Sequence, residues 1–388
     1  MKIIHTADWH IGQNFYNYDR MEEHKYFFAQ LNDIVKKEKP DALLISGDIY
    51  HTSIPSNSST KLYTEALIDL HKSCPTMRIY VIAGNHDSYT QLESTQSVWK
   101  LANTKISGII NFDDEKKPIL EELIDYIPGK GYIATIPYRY MQDVNIFKEI
   151  GERIKKINKA EEPLFMMGHL AVKNSDFRGH DINNIGGIDC EDTESFGNYY
   201  SYIALGHIHY PQTLCNKGGI IRYSGSALHI NFDENYPHTV TVVTSTSINK
   251  VDEIREIKIE QKEKMYTLPS NPMPFEEVIE QLKAFNPEKS GYLRLNILVK
   301  DYLPNSSQNE IFNILSTKEN LKYCLTKTTR ENREDEDTNK KYFNTEEIKN
   351  ISPLELAKIS YEEKNGAIMD DEMIDLLEEI IKETNETI

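Results

Sequence analysis

Short apolar runs recur along the first two-thirds of the chain, and each stops at a polar cluster. Lys2–Thr6, Ala42–Ile45, Ile79–Ala83, Leu164–Met167 and Tyr202–Leu205 are four or five residues long and rich in apolar, β-branched and aromatic side chains. Unbroken runs of that length fit strands buried on both faces. Between the first three, Arg20–Lys39 and Ser58–Lys72 carry apolar residues at helical spacing. Pro40 ends the first helix, and Ser58 or Ser59 is placed to cap the second. The order β-α-β-α-β predicts a parallel sheet whose loops gather at one edge. Further on, Gln91–Ala102 reads as helical and Asn111–Lys130 as an acidic insertion or surface hairpin. Tyr132–Pro137 reads as a strand, Val144–Lys159 as a charged amphipathic helix, and Asn216–Gly219 as a hairpin turn. Alternation in Val240–Thr244 and Ile254–Ile259 predicts antiparallel strands that close the domain.

The texture changes near residue 263. A helix over Phe275–Phe285, an alternating strand over Tyr292–Val299 and a helix over Asn309–Leu315 make a small α+β unit. Thr328–Asn344 is charge-dense and poor in apolar residues, as a linker is. Ser352–Ile381 carries an apolar stripe that Gly366 divides into two helices, with Pro353 near the start and Ser352 as cap. A stripe that comes after a loose linker favours docking on a partner over packing on its own chain. The resulting division is 1–262, 263–327, a linker at 328–345 and a helical tail at 346–388.

The residues that end these strands carry the chemistry. The endings are Asp8-Trp9-His10, Gly47-Asp48, Gly84-Asn85-His86-Asp87, Gly168-His169 and Gly206-His207-Ile208-His209. Open α/β sheets hold ligands at strand ends of this kind. A single histidine there is usually structural, and His5, inside the first strand, is expected to pack in the core. Five such endings are not a chance pattern. Asp8 and His10, two apart in an extended segment, would share a face. Two Asp, one Asn and four His exceed what one ion takes with a position left open. Two ions sharing a carboxylate, with Asp48 as the bridge, fit better. His86, beside Asn85, is placed to protonate a leaving alkoxide, with Asp87 to hold its imidazole charged. The chemistry is metal-assisted phosphoester hydrolysis; no Ser-His-Asp set, P-loop or dinucleotide glycine motif competes.

Composition adjusts this reading. A formal net charge of -17 over 388 residues and a pI near 5.2 argue against a broad basic nucleic-acid face. Two divalent ions against the charges of Asp8 and Asp48 still leave a locally positive site for phosphate. Cys74, Cys190, Cys215 and Cys324 are scattered and read as reduced thiols. Met1 runs straight into a strand, and no apolar run approaches membrane-spanning length, so a cytoplasmic chain without membrane contact is expected.

Together the five endings resemble the calcineurin-like metallophosphoesterases over roughly the first 260 residues. Within that superfamily the chain is similar to the SbcD nucleases. His5–Gly12, Ser46–His51, Ala204–His209 and Arg222–Ser226 carry the closer match, with Pro353–Leu356 and Tyr361–Gly366 in the tail. The resemblance implies an αββα sandwich with a capping domain that helps select DNA, and a homodimer. It implies two Mn2+, with Mg2+ as a substitute. It gives Asp8, His10, Asp48 and His209 to one ion, and Asp48, Asn85, His169 and His207 to the other. His86 would be the proton donor. His51 matches a histidine that aids exonucleolytic cleavage in archaeal and eukaryotic relatives. Arg222 and Ser224 would contact substrate. The implied activity is 3'-5' exonuclease and single-strand or hairpin endonuclease in double-strand-break repair. The tail would bind the coiled-coil base of an SbcC-type ATPase in a heterotetramer. Phosphoprotein phosphatases usually carry Asp-Arg-Gly after the Gly-Asp motif, where this chain has Tyr50-His51-Thr52. A small-molecule or cyclic-nucleotide phosphodiesterase is left open by the site alone, but the extra domain and tail speak against it. A catalytically dead scaffold is disfavoured by the intact ligand set.

Overall fold

The computed structural model describes residues 1–138, 145–178, 190–216, 219–300, 302–304 and 306–330, with isolated positions beyond. The helical tail expected at 346–388, and the linker past Arg330, lie outside the described residues apart from those positions. Met1–Thr329 forms one compact unit and Arg330–Ile388 another.

In the first unit two six-stranded sheets lie face to face. One runs, edge to edge, Glu253–Lys258, Thr239–Thr244, Lys2–Thr6, Ala42–Ser46, Arg78–Ile82 and Thr104–Ser107. Its last four strands are parallel, and the two closing strands are antiparallel, as alternation predicted. The other runs Gln212–Asn216, Gly219–Tyr223, Tyr202–Gly206, Leu164–His169, Gly131–Thr135 and Ile124–Ile127. Its four inner strands are parallel and its edges antiparallel.

Period-2 alternation explains why the strand sequences are apolar throughout. Ile3, Leu44, Tyr80 and Ile82 point from the first sheet onto Ile133, Phe165, Met167 and Tyr202 of the second. Their neighbours Ile4, Leu43, Ile45 and Val81 point outward. Phe27, Leu31 and Val35 of the helix Met21–Glu38, and Leu62, Leu67 and Leu70 of the helix Asn57–Ser73, cover them. Phe147, Ile150 and Ile154 of the helix Ile146–Ile157 cover the far face of the second sheet. The order of layers is therefore αββα. His5 lies between the sheets, fully buried, with Nδ1 2.9 Å from the Tyr202 hydroxyl. It is a core residue.

Several local readings need correction. The second helix begins at Asn57, and Ser56, not Ser58 or Ser59, caps it by accepting from the Ser59 amide at 3.1 Å. Gln91–Ala102 is broken into Tyr89–Ser94, Gln96–Trp99 and a 3-10 turn over Lys100–Ala102. Asn103, in the left-handed region at φ 52°, turns the chain into the strand Thr104–Ser107. That strand escaped notice because it is only four residues long and carries Lys105. The hairpin read within Asn111–Lys130 is present: after a helical turn, Leu120–Leu123, the strand Ile124–Ile127 pairs antiparallel with Gly131–Thr135.

The small unit has a three-stranded sheet ordered Lys264–Pro274, Gly291–Val299, Leu321–Arg330. Its outer strands were not legible, because Pro269 and Pro274 interrupt one and lysines the other. Paired backbone also reaches Arg330, into residues read as linker. Leu293, Leu295, Ile297 and Val299 pack on the helices Phe275–Ala284 and Ser307–Leu315. Tyr292 faces the other way, against Phe15 and Phe232, and its hydroxyl donates to Glu23 Oε1 at 2.6 Å. One strand thus joins the small sheet to the sandwich. Among the described residues no helix is long and apolar enough to cross a membrane.

Candidate metal centre

Strands of both sheets end at one edge, and there the loops meet. Trp9 fixes the first loop: its ring is buried against Phe27 and Phe28, and its Nε1 donates to Thr6 at 3.0 Å. The segment is not extended as expected. Asp8 and His10 sit at φ 51° and 45°, and they converge because Trp9 between them is pinned in the core. The second loop is laced to the first by backbone bonds, Asp8 N to Gly47 O, His10 N to Asp48 O and Ile11 N to Ile49 O, at 2.9–3.1 Å. Asp48 and His207 also have positive φ, 49° and 97°. Left-handed backbone at a non-glycine residue costs on the order of 1 kcal/mol, and such strain gathers at functional sites.

Each central carboxylate has one oxygen held by backbone. Asp8 Oδ1 accepts from the His207 amide at 3.0 Å, and Asp48 Oδ1 from the His86 amide at 2.9 Å. The second oxygens differ. Asp8 Oδ2 is buried with no hydrogen-bond partner. Asp48 Oδ2 lies 3.7 Å from His10 Nε2 and 3.4 Å from His169 Nε2. His10 Nε2 is in turn 3.3 Å from His209 Nε2. On the other side Asn85 Oδ1 is 3.0 Å from His169 Nε2 and 3.1 Å from His207 Nδ1. His169 Nδ1 donates to the Ser46 carbonyl at 2.9 Å, which turns Nε2 towards Asp48. All seven expected donors are therefore in one cluster, with Asp48 Oδ2 between the imidazoles of His10 and His169. Asp8, His10 and His209 form one compact metal-ligating set, and Asp8, Asp48 and His169 another.

Glycines before these loops make room for the donors. A methyl group on Gly84 would overlap the Asp48 carboxylate, and one on Gly47 would overlap the His169 ring. Gly47 also turns at φ 85°.

The electrostatics of the donor set fit metal ions. Burial raises the Asp8 carboxyl to about 6, against the pull of His169 and His209. Burial would depress His169, but the Asp48 and Asp8 carboxylates outweigh it and lift the imidazole to about 9. Asp48 is held well below its usual range, because His169 and His10 outweigh its burial. Buried carboxylates and imidazoles of this kind exchange shared protons for divalent cations.

His86 and His51 stand over this cluster. Their rings stack at 5.7 Å, and the His86 ring is 5.0 Å from His10. His86 Nδ1 donates to the His51 carbonyl at 2.9 Å, so Nε2 is the atom left to carry or release a proton. Asp87 does not hold that imidazole. Its carboxylate accepts from the amides of Gly84, Ile49 and Tyr50 at 2.8–3.1 Å, and so clamps two loops together. Arg222 and Ser224 are not at the site surface either. Arg222 is buried, with its guanidinium spent on Thr213, Thr241 and Glu256, and it ties one sheet to the other. Ser224 is fully buried. The polar character of Arg222-Tyr223-Ser224 hid that this segment is the end of a core strand.

Two supporting residues gave no sequence signal. His24, buried in the first helix, has Nε2 2.9 Å from the Trp9 carbonyl. Glu234, in an irregular loop, places Oε1 3.4 Å from His209 Nδ1. Neither stands at a strand end, so the pattern of strand endings could not find them.

The model for calcineurin-like phosphoesterases matches residues 1–211, more than half the chain. The chain belongs to the calcineurin-like phosphoesterase family. This phosphoesterase is accordingly a metal-dependent hydrolase. It is also similar to proteins named as the SbcD component of the nuclease SbcCD. The Escherichia coli K12 protein is 28% identical over 338 residues, 78% of this chain and 79% of that one. The Rhodobacter capsulatus protein is 29% identical over 269 residues, 63% of this chain and 66% of that one. The Staphylococcus epidermidis protein is 30% identical over 254 residues, 60% and 63%.

Metal uptake should release protons. His169 is protonated below about 9 and Asp8 below about 6, and both must be deprotonated to bind a cation, so apparent affinity rises with pH across that window. Calorimetric titration with Mn2+ at pH 7, in buffers of different ionisation heat, should show at least about one proton released per chain. Heats independent of the buffer would contradict this.

Proposed function

We propose that this phosphoesterase is the nuclease component of an SbcCD-type complex and hydrolyses DNA phosphodiesters. The observation that carries the reading is the Asp48 oxygen that faces the imidazoles of both His10 and His169. We assign Asp8, His10, Asp48 and His209 to one ion and Asp48, Asn85, His169 and His207 to the other, with Mn2+ preferred and Mg2+ as a substitute. Such a pair supplies Lewis-acid polarisation of phosphate oxygens and a water of lowered pKa. The chain's own residues do the rest. Asp48 and Asn85 set the spacing of the two groups. His86 Nε2 gives the leaving alkoxide its proton, while the His51 carbonyl fixes the ring. His51, stacked on His86, aids exonucleolytic cleavage. Asp87 keeps the two loops in register.

Similarity to the SbcD proteins supports DNA as substrate and a coiled-coil ATPase as partner, with the tail at 346–388 as its docking segment. An acidic chain can act on a polyanion because the site, not the surface, carries the positive charge. The test combines substrate and partner. Full-length chain with Mn2+ is offered linear duplex, single-stranded circle, a phosphoprotein and a small chromogenic diester, and a version ending before Ser352 is run beside it. The expected result is DNA cleavage abolished by a chelator, with no dephosphorylation of the protein. The shortened chain should keep diesterase activity and lose pull-down of the ATPase. Release of protein phosphate without DNA cleavage would overturn the substrate, and retained pull-down would overturn the docking role.

His86→Ala should keep both ions, because the bond to Asp48 Oδ1 comes from the His86 main-chain amide. Loss of a general acid lowers turnover by about 10²–10⁴-fold. Metal counting and a DNA assay on this variant check the assignment. Wild-type cleavage would remove His86 from the mechanism.

A further inference from the structure

We propose that His229, Glu234 and His238 form a third divalent-cation site, separate from the pair at Asp48 and of the two-histidine, one-carboxylate type that suits zinc. These residues lie in the segment that leads into the strand Thr239–Thr244, and their donor atoms form one compact set. His229 Nδ1 is 2.9 Å from His238 Nε2, and that nitrogen is 3.6 Å from Glu234 Oε2. In a tetrahedral zinc site, bonds of about 2.0–2.1 Å put neighbouring donor atoms about 3.3 Å apart. The two measured separations bracket that value.

The orientation of the donors is already fixed. His238 Nδ1 is 2.8 Å from the Ser226 carbonyl and donates to it, so Nε2 presents a lone pair to the pocket. A carbonyl behind a histidine is the usual support for a metal ligand. Glu234 Oε2 accepts from the Ile230 amide at 2.8 Å, which sets the carboxylate plane. Glu234 Oε1 is buried and faces His209 Nδ1 at 3.4 Å, so Oε2 is the oxygen turned to His238. Glu234 and His238 are each 2% exposed, whereas His229 is half-buried. His229 is therefore the most exposed of the three donors.

Electrostatics agree with this geometry. Burial, with Arg20 adding to it, pushes His229 down to about 4, and burial with His229 does the same for His238. Both imidazoles are neutral at neutral pH and able to bind metal. Arg20 and Lys264 are the cations that act on His229, and Arg20 is paired with Glu23, whose two oxygens accept from its Nε and Nη2 at 2.9 Å. A bound ion would also reach the catalytic centre through one side chain, because Glu234 Oε1 is 3.4 Å from His209 Nδ1. The alternative is a dry hydrogen bond in which one imidazole donates to the other.

The experiment counts ions. Full-length protein is equilibrated with Zn2+, freed of excess metal by gel filtration, and analysed by inductively coupled plasma mass spectrometry. H229Q/H238Q is treated in the same way, with circular dichroism to establish that it is folded. The variant should hold one ion fewer per chain than the wild type, whatever number the Asp48 centre holds. Equal counts in a folded variant would overturn the proposal. Wild-type crystals soaked in Zn2+ give a reading that needs no variant. An anomalous peak within bonding reach of His229, Glu234 and His238 is expected. Peaks at Asp48 with none here would overturn the third site, whereas a peak here with none at Asp48 would overturn the reading of the main centre instead.

Discussion

The oxygen Asp48 Oδ2, 3.7 Å from His10 Nε2 and 3.4 Å from His169 Nε2, is the point at which both sheets of the molecule meet chemically. His10 comes after a strand of the first sheet and His169 ends a strand of the second. Their approach therefore depends on the packing between sheets. Tyr80, Phe165, Met167 and Tyr202 fill that space, and interiors packed this tightly deform little. Change in the core thickness would alter the separation of the two imidazoles, and with it the cluster around Asp48.

Local strain is tolerated because several groups hold it. Asp8, His10 and Asp48 all adopt left-handed backbone, yet each loop is tied to the next by main-chain bonds and by the three amides on Asp87. Asp87 is thus more than a neighbour of His86: without its carboxylate, three buried amides would lose their acceptor, each at about 1–3 kcal/mol. The centre is also linked outward. Glu23 accepts from Tyr292 of the small sheet and pairs with Arg20, whose Nη1 donates to the His229 carbonyl. A chain of hydrogen bonds thus runs from the small sheet through Glu23 and Arg20 to the His229 main chain.

The strands were legible because a strand buried on both faces has no polar positions, and Ala42–Ser46 or Tyr202–Gly206 cannot be mistaken. The donors were legible because each comes directly after such a strand. Residues that act across the fold were not. Asp87 sits beside His86 in sequence, but its partners come from the loop at Ile49 and Tyr50. Arg222 and Ser224 look like a polar substrate loop and are core residues that close the sandwich. Glu234 and His24 support the centre from segments with no strand ending to mark them. Family likeness and geometry also answer different questions: the first names a chemistry, the second says which oxygen could serve two ions.

The central claim is that Asp48 is shared by a pair of cations, and diffraction from Mn2+-loaded crystals at the manganese absorption edge tests it most directly. The account predicts two anomalous peaks about 3.5–4 Å apart, both within bonding distance of Asp48 Oδ2. A single peak, or two that do not share that oxygen, would contradict it.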